Sequence, residues 1–231
     1  MSERAQVIEA ARRFLQQQVD AGEEEVVLCR APSQPARTSL RAFQDAICRC
    51  TRCPLSAKRK HFVFGEGDNH AGVMFIGEAP GAEEDQQGRP FVGAAGQLLT
   101  RIVEAMGLTR DEVYIANVLK CRPPNNRDPS PEEVEACEPY LLQQIEMIQP
   151  KVICTLGRIA AQALLRTAAP LSGLRGRVHA YGGIRLLATY HPAYLLRNPK
   201  VKGATWDDIR LLRKEYDGVE LPRTKAPSRA G

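Results

Sequence analysis

Apolar residues along the chain follow two alternating rhythms. Short runs at Val73 to Ile76, Val113 to Val118, Val152 to Leu156 and Ile184 to Thr189 have the length and β-branched content of buried strands. Between them, Gln97 to Met106, Pro131 to Ile148, Arg158 to Leu165 and Trp206 to Tyr216 carry apolar residues at helical spacing. Such alternation predicts an α/β fold, a parallel sheet covered by helices on both faces. Ser130-Pro-Glu-Glu133 marks one helix start, with a serine N-cap, proline at the first position and Glu133 placed for a capping box. Upstream, Val7, Ile8, Ala11, Phe14, Leu15 and Val19 predict an amphipathic helix. The proline-containing stretch Ala31 to Ser39 predicts an exposed linker into a short helix near Leu40 to Cys48. The expected organisation is an N-terminal helix and linker over 1–40, a main domain over 41–216, and a basic, disordered tail over 217–231.

Composition narrows this picture. At 231 residues and 43% apolar, the chain can bury one substantial core. It has no apolar run of about 18 residues, which removes a transmembrane helix. The N-terminus lacks the basic-then-apolar order of a secretory signal, so a cytosolic protein without a membrane partner is expected. A net charge of +5 suits an anionic partner such as nucleic acid without requiring one. Nothing in the sequence calls for more than a monomer.

Seven cysteines in a reducing compartment point to metal rather than disulfides. Cys50 and Cys53 form a C-x-x-C unit, with Cys48 just before it, and Cys121 and Cys137 form a second, wider pair. Two thiolates from the first unit and two from the second can complete a tetrahedral set, for Zn or for a [4Fe-4S] cluster, and spacing leaves both open. Cys48 is an alternative to Cys50. Cys137 also fits the apolar face of its helix, while Cys154, inside an apolar strand, and Cys29 read as ordinary packed cysteines.

The segment after Ile76, Gly77-Glu-Ala-Pro-Gly81 continuing to Gly96, is glycine-rich but matches neither a P-loop nor a dinucleotide fingerprint, so ATP and NAD sites are not expected. Gly65-Glu-Gly67 precedes its strand and reads as a turn. In a parallel sheet, ligands bind beyond the carboxyl ends of the strands. Glu78, Asn117 and His191 all fall there, bringing a carboxylate, an amide and an imidazole to one crevice. Taken singly they are a loop acid, a strand-edge amide and a helix N-cap; their coincidence is what suggests an active site. Phe91, alone in a polar loop, is either a packing anchor or a surface on which a planar base stacks.

Gly77-Glu-Ala-Pro-Gly81 with Gly88-Arg-Pro-Phe-Val-Gly-Ala-Ala-Gly96, Asn117-Val-Leu-Lys-Cys-Arg-Pro-Pro124 and His191-Pro-Ala-Tyr-Leu-Leu-Arg197 together resemble family 4 uracil-DNA glycosylases, over about Ala46 to Tyr216. The resemblance implies a three-layer α/β/α fold with a central four-stranded parallel sheet, a structural [4Fe-4S] cluster, and removal of uracil from single- or double-stranded DNA in base excision repair. It selects Cys50, Cys53, Cys121 and Cys137 as cluster ligands and leaves Cys48 as an extra thiol. It places Phe91 in a stack on uracil, Asn117 in hydrogen bonds to its edge, and His191 at O2 of the departing base. Glu78 and Ala79 then belong to the uracil pocket, with Glu78 beside C5 where it excludes the methyl of thymine. The family lacks the water-activating aspartate of its relatives, so Glu78, Glu84 and Asp85 are the candidates for positioning water or stabilising the cationic sugar. Leu195 and Leu196 are candidates for filling the gap left by the flipped base. Arg197, Lys120, Arg122 and Arg127 are candidates for phosphate contacts.

Two other readings compete. A uracil-DNA crosslinking variant carries Gln where this chain has Ala79 and an inserted basic loop that Ser172 to His179 lacks. A non-catalytic iron-sulfur nucleic-acid-binding or electron-transfer protein would keep the cysteines but has no need of Glu78, Asn117 and His191 together at strand ends.

Overall fold

The computed structural model describes residues 39–222. The expected N-terminal helix and linker, Cys29 and the last nine residues of the basic tail lie outside the described residues. Strands β2 (Val73–Gly77), β3 (Tyr114–Asn117), β4 (Val152–Leu156) and β6 (Ile184–Thr189) run parallel in the spatial order β3-β2-β4-β6. These are the four apolar runs of the sequence. The expected four-stranded sheet is nevertheless corrected to a mixed sheet of six among the described residues. Strands β1 (Glu66–Gly67) and β5 (Val178–Tyr181) pair antiparallel on its two edges. Neither carries a strand signature: β1 is two residues long, and β5 has no fully buried residue. Its neighbour's backbone, rather than its own burial, holds each edge strand in place.

Alternate side chains of the buried strands feed two cores. Met74, Ile76, Ala116 and Ile153 pack against α1 (Leu40–Ile47), α4 (Pro131–Ile148) and α5 (Arg158–Leu165). Val73, Phe75, Ile115 and Cys154 pack against α3 (Ala94–Ala105) and α8 (Lys202–Asp217). Cys154 is thus the core cysteine its strand suggested. Ser130 caps α4 as expected: its hydroxyl accepts from the Glu133 amide at 3.3 Å, and Glu133 accepts from the Ser130 amide at 2.9 Å. Three shorter helices, α2 (Ala82–Gln87), α6 (Leu171–Leu174) and α7 (Pro192–Arg197), lie in the connections.

The chain leaves β2 for its neighbour β3 on one side and leaves β4 for β6 on the other, so the loops beyond the strands part at the carboxyl edge. Gly77 pairs with Asn117 and Leu156 with Thr189 in register, so β2, β3 and β6 end at one level. No helix among the described residues is long and apolar enough to cross a membrane.

Candidate active site and cysteine centre

A cavity of 360 Å³ opens where those strands end, lined by Glu78, Phe91, Asn117, Asp128, His191 and Arg197 among others. The three strand-end residues singled out in the sequence therefore share one pocket. Ala79 and Glu84 also line it.

Asn117 is 2% exposed, and its side-chain Oδ1 is buried without a hydrogen-bond partner. A buried orphan acceptor costs about 1–3 kcal/mol, a cost that recurs at sites shaped for a ligand. A Cβ on Gly77 would stand 2.4 Å from that Oδ1 and 2.5 Å from Cζ of Phe91, so only glycine lets both side chains reach the floor of the cavity. Phe91 itself is held at φ 52°, a left-handed backbone unusual for an aromatic residue. Gly96 makes room beneath it, since a Cβ there would lie 1.8 Å from the Phe91 carbonyl oxygen.

His191 caps α7, its Nδ1 accepting from the Ala193 amide at 3.1 Å. That bond requires an unprotonated Nδ1 and so puts the ring proton on Nε2. Burial pushes the imidazole down to about 4, aided by the charge of Arg197. His191 is therefore a neutral donor at physiological pH. Its ring centroid lies 5.6 Å from that of Phe91.

The acidic candidates separate by geometry. Glu84 accepts from the amides of Val92 (2.9 Å), Gly93 (3.0 Å) and Gly81 (3.1 Å). Its carboxylate holds the Phe91 loop and has little left for water, so the catalytic expectation for Glu84 becomes one of positioning. Asp85 is likewise engaged by the amide of Lys60 at 2.9 Å. Glu78 remains, facing the cavity. Burial pushes its carboxyl up to about 7, with Asp128 adding to the rise and Arg158 opposing it.

Among the proposed DNA contacts, Leu195 is 1% exposed and packs inward, because it sits on the buried side of α7; in this conformation it is core, not wedge. Leu196, next to it, is 42% exposed. Arg197 is exposed at the cavity mouth, whereas Arg122 donates to Asn126 at 2.8 Å outside the lining. Arg127 lines the mouth while gripping Glu133 through both terminal guanidinium nitrogens. Lys120 cannot contact phosphate: it is fully buried, its Nζ donating to the Asn117 carbonyl (2.9 Å) and to Gln144 (2.5 Å). Its neighbours Leu119 and Cys121, with Arg122 one residue further on, give no clear sequence signal of that burial.

Cys53, Cys121 and Cys137 share one packed cluster around Leu55 and Leu119, and Arg59 bridges the Cys50 carbonyl (2.6 Å) to Cys121 Sγ (3.4 Å). Three further donors aim at sulfur: Lys120 N at Cys137 (3.3 Å), Tyr140 OH at Cys50 (3.2 Å) and Arg52 N at Cys50 (3.4 Å). Donors of this kind stabilise metal-bound thiolates. No three Cys, His, Asp or Glu side chains among the described residues gather tightly enough for a single ion. The Cys48 thiol instead donates to the Asp45 carbonyl at 3.3 Å.

The family model of the uracil DNA glycosylase superfamily matches residues 64–210. A type-4 uracil-DNA glycosylase of Pyrobaculum aerophilum is 46% identical over 82% of this chain and 99% of its own length. Type-4 uracil-DNA glycosylases of Archaeoglobus fulgidus and Thermotoga maritima are each 47% identical, over 71% and 67% of this chain and 86% and 81% of their own.

Proposed function

The chain belongs to the uracil-DNA glycosylase superfamily, and we infer that it excises uracil from DNA with Asn117, Phe91, His191 and Glu78 as its working residues. The observation that carries the assignment of roles is the orphaned Oδ1 of Asn117, buried at the floor of a cavity bordered by a neutral histidine. An amide there offers an acceptor for N3–H and a donor for O4 of uracil, while cytosine reverses that pattern and leaves buried groups unpaired. Phe91 supplies an apolar face on which the flipped ring stacks.

As the bond from N1 to the sugar breaks, the bonding pair goes to the base and negative charge collects on O2. The Nε2–H of His191 meets that charge with a donor that strengthens as the transition state forms. A neutral imidazole bears no cation to be desolvated in the resting pocket. Glu78 is the carboxylate left free to face the cationic sugar and the incoming water. A carboxyl with a pKa near 7 suits proton transfer at neutral pH.

Full-length protein incubated with an end-labelled strand containing one deoxyuridine should give alkali-dependent scission at that position and leave matched thymine and cytosine strands intact. A denaturation-resistant shifted band instead of scission would indicate crosslinking, and neither product would indicate a binding or electron-transfer role.

Across pH, turnover should rise with a midpoint near 7 as Glu78 ionises, and Glu78→Gln should flatten that rise and lower the plateau by about 10²-fold. Stability moves the other way. Folding raises this pKa, so the contribution of Glu78 to stability is present below about pH 4.5 and is lost as pH rises through 7. Glu78→Gln should therefore raise Tm at pH 8 more than at pH 5. Equal shifts at both pH values would show that Glu78 is not a buried ionising group.

Cys50, Cys53, Cys121 and Cys137 would hold a [4Fe-4S] cluster, whose contribution is to cross-link the segment after α1, the segment after β3, and α4. Cys121 is four residues beyond Asn117, so that cross-link also anchors the end of the recognition strand. Cys121→Ser is expected to lower iron content and visible absorbance and to reduce Tm by roughly 10 °C, the scale for loss of a structural metal ligand. Unchanged iron would remove Cys121 from the ligand set.

A further inference from the structure

Tyr194 is a large aromatic residue left 40% exposed at the lip of the uracil cavity. It is not loose. Its ring stacks on Tyr190, with centroids 5.4 Å apart and planes 18° from parallel, and the Arg175 guanidinium lies 5.0 Å from the Tyr190 centroid. Arg175 is fixed in turn. Its Nε donates to Asp208 Oδ2 at 3.0 Å, its Nη2 donates to the Ala204 carbonyl, and the Thr189 hydroxyl donates to the same Asp208 oxygen at 2.7 Å. Asp208 is 2% exposed, and its other oxygen, Oδ1, is buried without a partner.

A buried ion pair is a weak source of net stability, and one with an orphaned oxygen is weaker still. What this one accomplishes is geometric. It sets Arg175, which sets Tyr190, which sets the ring of Tyr194 beside the site where the flipped nucleotide enters. A rigid exposed aromatic face costs no ordering when a second flat group arrives, and stacking on such faces is how single strands are held without regard to sequence. Leu196 (42% exposed) and Arg197 stand on the same short helix, with Arg197 at the cavity lip to meet a phosphate.

We propose that Tyr194, backed by Tyr190 and Arg175, is a stacking subsite for the base adjacent to the flipped uracil on the same strand, and that it favours uracil in single-stranded DNA. In a duplex that neighbouring base keeps its own stack and pairing, so the platform gains nothing from it. In a single strand the base is free to transfer onto Tyr194. The proposal rests on the glycosylase reading for the position of the uracil and goes beyond it in naming the strand form and the neighbour.

The test compares two single strands, one with ordinary bases flanking the deoxyuridine and one with base-free spacers there. Scission kinetics are measured for unaltered protein, Tyr194→Ala and Tyr194→Phe. A 2-aminopurine beside a non-hydrolysable 2′-fluorodeoxyuridine reports stacking directly. Tyr194→Ala is expected to raise KM about tenfold on the base-flanked strand and to lose the 2-aminopurine quench, while Tyr194→Phe restores both. On the spacer strand the effect of Tyr194→Ala should shrink to less than twofold. An equal loss on both strands would assign Tyr194 to the uracil pocket itself, and no loss on either would place it outside the DNA path; each result overturns the proposal. Quenching without scission by unaltered protein would instead overturn the glycosylase reading and leave the platform standing.

Discussion

Replacing His191 with Ala is expected to lower kcat on uracil-containing DNA by about 10²–10³-fold, the usual cost of deleting one donor to a developing anion, while the Kd for the same strand changes by less than about threefold. The asymmetry follows from the charge on O2, which is small in bound substrate and large when the glycosidic bond is nearly broken. The structure supplies the reason why this histidine can act in that way. Its Nδ1 is occupied by the Ala193 amide, so the Nε2 proton is fixed rather than shared between tautomers. With its pKa near 4, His191 stays neutral while Glu78 titrates near 7, so the two groups separate in a pH profile. A further consequence concerns acid stability. The unfolded chain binds a proton below about pH 6.5 that folded His191 refuses until about pH 4, so this residue withdraws stability as pH falls through that window. His191→Gln should shed that acid sensitivity and still lose most turnover. Equal loss of turnover and DNA affinity would recast His191 as a binding residue.

The sequence exposed the parts of this molecule that depend on burial period. Each of the four apolar runs is a parallel strand, and Pro131 to Ile148 and Arg158 to Leu165 are helices with those same limits. The edge strands escaped notice because backbone pairing with β3 and β6 defines them, and no side-chain pattern records it. At the site, Glu78, Asn117 and His191 were legible because the strand-end rule needs only the order of elements. Glu84 shows where that reasoning stops. Its identity announces a carboxylate, but not that three amides of its own loop consume it. Lys120 shows the same limit from the other side: a lysine two residues before an arginine reads as surface charge, whereas the turn after β3 folds it beneath Asn117. Both residues prepare the pocket by fixing the backbone that carries Phe91 and Asn117.

Asn117 allows function to be separated from fold in one residue. Asn117→Asp is expected to reduce kcat/KM on uracil by about 10³-fold or more, because a carboxylate has no donor for O4 and repels it, and to collapse the preference for uracil over cytosine. Asn117→Leu, of similar volume, should abolish uracil turnover to a comparable degree yet leave Tm unchanged or higher. The second expectation comes from the unpartnered Oδ1: the folded protein without substrate already bears the cost of an unsatisfied buried acceptor, and an apolar side chain removes it. A polar residue that served only the fold would behave oppositely, since its removal would strand a partner inside the protein. A Tm drop of several degrees in Asn117→Leu would therefore mean that the amide has a structural partner, and retained uracil selectivity in Asn117→Asp would remove it from the recognition edge. Loss of turnover with gain of stability would mark Asn117 as a residue kept for the base it meets.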